Sequence, residues 1–140
     1  MATAPKFADV KVGDTLKPIV LPPITRHQLA LYCGGSGDHN PIHVDIDFAK
    51  KFGFKDVFAH GMLSMAYLGR LVTSWVPQSQ LRALSTRFTS ITPVLAQPTC
   101  TGTVVGVDDV DGEKRATVEV KITLADGTVT LSGEAVVALP

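Results

Sequence analysis

Apolar positions change period along the chain. Residues 61–75, GMLSMAYLGRLVTSW, are apolar around most of a helical circumference. A helix of that kind belongs in a buried setting, and at helical rise it would run about 22 Å. Pro77 marks its end. The last third alternates instead. Leu84, Thr86 and Phe88 face opposite to Ser85, Arg87 and Thr89, and residues 99–107 are rich in β-formers. Ala116, Val118, Val120, Ile122 and Leu124 alternate strictly with polar neighbours. Asp126-Gly127 predicts a hairpin, with Val129, Leu131, Ala135 and Val137 on the apolar face of the returning strand.

The first half predicts shorter elements. Residues 14–21 read as a strand closed by Pro22 and Pro23. Thr25 can cap a helix over 26–33, ended by Gly34 and Gly35. Residues 36–43, SGDHNPIH, are too rich in turn formers for regular structure. A helix over 46–52 follows, with Asp45 as N-cap and Gly53 after its end. Strands joined by tight turns make an antiparallel sheet, and its apolar face needs a cover. Only 61–75 is large enough. The pattern therefore predicts an α+β fold, a curved antiparallel sheet wrapped around one long central helix. Residues 1–8 read as a loose leader and 9–140 as a single domain.

Composition narrows the function. Thirteen Lys and Arg balance thirteen Asp and Glu. A neutral chain without a basic stripe speaks against nucleic acid as partner. The N-terminal residues lack an apolar signal core, and no apolar run approaches a membrane span, so the expected setting is the cytoplasm without membrane insertion. Cys33 and Cys100 have neither metal-ligand nor redox spacing and read as buried thiols. Gly34-Gly35-Ser36-Gly37 lacks the Lys-Ser/Thr of a phosphate loop. Asp108, Asp109 and Asp111 read as turn residues, not as a glycosidase pair.

Two segments carry candidate chemistry. In the first, Asp38 supplies a carboxylate and His43 an imidazole that titrates near neutrality. Pro41 stiffens the chain between them, and Asn40 can hold the turn. These residues could equally be turn formers beside a satisfied histidine. In the second, Gly61 would open the long helix with an unpartnered N–H at its positive end. Such a donor suits a thioester carbonyl that gains negative charge, although Gly61 could merely relieve crowding. Ser64 lies on the same helical side and could bond back to a carbonyl or face the pocket. His60 has a capping, packing or catalytic role open to it. Asp38, His39, His43 and His60 are nominal metal ligands, but Pro41 prevents a helical HxxxH face.

SGDHNPIH at 36–43, preceded by Tyr32, and AHGML at 59–63 resemble the MaoC-like hydratases of the hotdog superfamily. The likeness extends into 87–107 and covers nearly the whole chain. It implies a hotdog domain, commonly dimeric. It also implies (R)-specific hydration of trans-2-enoyl thioesters, or dehydration of 3-hydroxyacyl thioesters, in fatty-acid metabolism. By that resemblance Asp38 and His43 are catalytic. Gly61 supplies the oxyanion N–H, Ser64 supports it, Asn40 shapes the loop, and His60 belongs to the substrate-binding set. No cofactor or metal is implied. The expected partners are an acyl-CoA or acyl-ACP substrate and a second hotdog subunit. A homodimer is one form. A heterodimer is the other, because the motifs also resemble catalytic subunits of heterodimeric type II 3-hydroxyacyl-ACP dehydratases. Competing readings are a hotdog thioesterase and a non-catalytic partner subunit.

Overall fold

The computed structural model describes residues 3–140. Five strands form one antiparallel sheet: β1 (Ile19–Val20), β2 (Leu81–Phe88), β3 (Thr99–Val110), β4 (Glu113–Thr123) and β5 (Val129–Ala138). Their order is β1-β3-β4-β5-β2. Three helices precede most of the sheet: α1 (Arg26–Ser36), α2 (Ile46–Lys51) and α3 (Gly61–Trp75). Together they make the curved sheet and central helix expected from the pattern. No helix of the described residues is long and apolar enough to cross a membrane.

Strand alternation builds the core. Ala116, Val118, Val120 and Ile122 of β4 are fully buried, and so are Ala135 and Val137 of β5. They meet Leu68, Leu71 and Val72 of α3 in a single apolar cluster running from Val10 to Leu139. Burying one such leucine contributes on the order of 1.5–3 kcal/mol.

Helix α3 keeps its expected bounds but not full burial. Leu63, Ser64, Tyr67, Leu68, Leu71 and Val72 turn inward, while Met62 is 57% exposed and Ala66 lies open beside it. A single curved sheet covers only one side of a helix.

Other differences are local. The expected strand at 14–21 reduces to Ile19–Val20 and one bridge from Thr15 to Thr103. Pro18, Pro22 and Pro23 cannot donate to a ladder. Helix α1 runs through Gly34 and Gly35 to Ser36, and Gly37 takes the left-handed cap at φ 77°. Its N–H donates to the Cys33 carbonyl, and Ser36 Oγ donates to that of Tyr32. Strand β2 starts at Leu81, where a register shift hides the alternation. Val129 is 38% exposed, whereas Thr130 is buried, because β5 enters with a shift against β4. Of the segment read as a leader, residues 1 and 2 lie outside the described residues. Phe7–Asp9 form a 3-10 turn, and the Phe7 N–H donates to the Pro140 carbonyl over 2.8 Å.

Candidate active site

The loop after α1 is fixed by its own side chains. The Asp38 N–H donates to Ser36 Oγ at 3.1 Å, and the Asn40 N–H to Asp38 Oδ1 at 3.2 Å. Asn40 Oδ1 accepts from the Ile42 N–H at 3.1 Å and caps a 3-10 turn over Pro41–His43. Pro at the first position of such a turn sacrifices no bond. Helix α2 then starts on Asp45, whose Oδ1 accepts from the Asp47 and Phe48 N–H groups. This short circuit aims Asp38 outward and His43 inward, their side chains 52% and 10% exposed.

His43 Nδ1 lies 2.7 Å from the Phe58 carbonyl. A carbonyl only accepts, so Nδ1 carries the proton and Nε2 is left to face the opening. His43 Nε2 stands 4.0 Å from Asp38 Oδ2. That separation is too long for a direct hydrogen bond. It does allow one water to bond both atoms.

His60 lies beneath the pair. It is the N-cap residue of α3 and only 1% exposed. Its ring stacks on that of His43 at 3.8 Å and 25°. Its Nε2 is 3.2 Å from the Asp38 carbonyl and 3.6 Å from Cys33 Sγ, and the Tyr32 ring meets it edge-on at 4.7 Å. Burial lowers its pKa from the usual 6.5; the Asp38 carbonyl works in the opposite direction, and His43 adds to the lowering. His60 is thus a neutral ring behind the pair, not a group lining the substrate opening.

Gly61 opens α3, and an added Cβ would stand 3.0 Å from two carbons of the Phe88 ring. Phe88 is half exposed and forms a lid over this helix start. Ser64, one turn on, is buried with its Oγ 3.5 Å from Thr92 Oγ1. Asp38, His43 and His60 come within 4.8 Å of one another, the only grouping of metal-ligand type among the described residues. Imidazole lone pairs lie in the ring plane, and two rings stacked face to face cannot aim them at one ion. The cluster does not fit a metal.

The site thus brings together Asp38, Asn40, His43 and His60, with Gly61 and Ser64 on the adjoining helix. Tyr32, Cys33, Phe58, Phe88 and Thr92 complete it without having been assigned roles from the sequence. Burial pushes the thiol of Cys100 up to about 11, which leaves it inert.

A family model described as "MaoC like domain" matches residues 7–128. The chain is 31% identical over 134 residues to an (R)-specific enoyl-CoA hydratase of Rhodospirillum rubrum, covering 96% of this chain and 91% of the relative. It is 30% identical over 106 residues to 3-hydroxyacyl-thioester dehydratase Z of Mycobacterium tuberculosis, covering 71% of this chain and 70% of the other. Among solved structures, the (R)-hydratase from A. caviae involved in PHA biosynthesis superposes with a TM-score of 0.83 at 25% identity, covering 94% of this chain and 98% of that one. A half-wrapped helix with a polar pair at its N-terminus places the chain in the hotdog class. It belongs to the MaoC-like family.

Proposed function

We propose that the protein is a hydro-lyase of fatty-acid metabolism, catalysing (R)-specific hydration of trans-2-enoyl thioesters and the reverse dehydration of 3-hydroxyacyl thioesters. The observation that carries this reading is the pairing of Asp38 Oδ2 and His43 Nε2 across 4.0 Å, with the other imidazole nitrogen committed to the Phe58 carbonyl. Two relatives of matching length carry the two directions of this reaction in their names.

A water between the pair supplies the hydroxyl group. The substrate carbonyl accepts from the Gly61 N–H, which has no partner inside α3. Asp38 takes one proton from the water as its oxygen bonds to the β carbon. The alkene electrons move toward the carbonyl, and the charge that develops on oxygen meets the positive end of the helix. Protonated His43 delivers its Nε2 proton to the α carbon. Asp38 is left protonated and His43 neutral, and a proton passing between them restores the pair. Dehydration retraces these steps. If Thr92 donates to Ser64, the Ser64 proton is free to support the same carbonyl oxygen.

The carrier is CoA or acyl carrier protein, and the working form is a cytoplasmic dimer. Steady-state hydration of crotonyl and longer enoyl thioesters on both carriers tests the reading. Asp38→Asn and His43→Ala should each lower kcat about 10²–10⁴-fold, with far-UV circular dichroism unchanged. Full activity in both variants would reject the assignment. Thiol release without loss of the alkene would identify a thioesterase.

A further inference from the structure

We propose that His60 is a positioning residue that sets the separation of Asp38 and His43 by holding both from behind. The inference rests on the functional reading above and adds a role for a residue that touches no substrate.

His60 contacts the two partners in different ways. It reaches Asp38 through the backbone, with Nε2–H donating to the Asp38 carbonyl at 3.2 Å. It reaches His43 through the ring face, stacked at 3.8 Å. Phe58 meets His43 at right angles, with ring centroids 5.3 Å apart, while its carbonyl takes Nδ1–H. The catalytic imidazole is therefore clamped between a ring, an edge and a carbonyl. The carbonyl of Asp38 is tied to the same ring that forms the clamp. A shift of His60 would move the carboxylate and the imidazole relative to each other.

The bonding of His60 is itself informative. Because the Asp38 carbonyl requires Nε2–H, Nδ1 of the neutral ring is a bare acceptor, and it is buried without a partner. Buried polar atoms are rarely left so. An apolar ring of the same size would avoid that penalty but would release the Asp38 carbonyl. Its neighbours are Tyr32 and Cys33 from α1, Asp38 from the loop and His43 from the 3-10 turn. Neutrality of His60 also lets His43 carry a proton without a second cation stacked against it.

Two variants separate the two contacts. His60→Phe keeps a flat ring under His43 and loses the donor to Asp38. His60→Gln keeps a donor and loses the stacked ring. Each should lower kcat on a trans-2-enoyl-CoA about 10–100-fold, the scale of a small misplacement of reacting groups, with KM within about threefold. Imidazole ¹⁵N NMR gives a readout independent of turnover. In the wild type His43 should show a slowly exchanging Nδ1–H held on the Phe58 carbonyl; in His60→Gln that proton should exchange freely. Unchanged kcat together with an unchanged His43 Nδ1–H signal in both variants, even at a lower melting temperature, would overturn the proposal. So would a rise in KM with kcat intact, which would make His60 a binding residue. A wild type that hydrates no enoyl thioester would refute the functional reading alone, because the NMR result still decides what His60 holds.

Discussion

His60 ties the stability of the fold to pH. Its folded pKa lies below the usual 6.5, chiefly because it is buried. Between those two values the unfolded chain holds a proton that the folded chain lacks. The stabilising contribution is therefore complete above about pH 6.5 and is lost as pH falls toward the folded value. The melting temperature should drop between pH 7.5 and pH 5, and the drop should be shallower in His60→Phe. Parallel thermal melts of the two proteins check this, and equal slopes would contradict it. Gly61 is a different case at the same scale. In Gly61→Ala the methyl would press on an exposed phenyl ring, which can move. Stability should change little, but the methyl would crowd the approach of a carbonyl to the helix start. A fall in kcat of about 10²-fold, the scale of losing an oxyanion donor, is expected with an ordinary melting curve.

Among the elements, β2 and β5 meet most closely at Gly133. A Cβ there would stand 1.9 Å from the Ser85 carbonyl oxygen and 2.7 Å from Thr86 Cα, both backbone atoms that cannot turn aside. Gly133→Ala should cost more than about 3 kcal/mol in urea unfolding, because the strands must separate to admit a methyl group. Asp45→Ala, which removes only the cap of α2, should cost about 1 kcal/mol. The two glycine contexts also explain what the sequence could reveal. Gly61 and Pro77 bracket α3, so its bounds were readable. Nothing in the sequence marks Gly133 in this way; its contact comes from a strand that the chain had left long before. Gly34 and Gly35 read as a stop, yet α1 passes through them, because Gly37 offers the left-handed cap that they do not adopt. Asp38 and His43 were legible because one stiff turn carries both. Phe58, Cys33 and Thr92 were not, since their contacts lie 15, 27 and 28 residues away and depend on the folded sheet.

At the scale of the molecule, one side of α3 and one edge of the sheet have no cover among the described residues. Met62 and Ala66 face outward, and β2 pairs with β5 along one edge only. An unpaired edge strand next to an exposed apolar helix face favours association. The core is also single, so the helix start, the loop of Asp38 and His43 behind it and the sheet should be lost together. If a second subunit covers the open face, that loss becomes coupled to dissociation, and the midpoint must depend on protein concentration. Unfolding followed by Trp75 fluorescence and by far-UV circular dichroism should coincide, and both midpoints should rise as the protein is concentrated tenfold. Coincident curves that stay fixed under that change would mean that the protomer is stable alone. The proposed dimer would then contribute nothing to holding Asp38 and His43 in place.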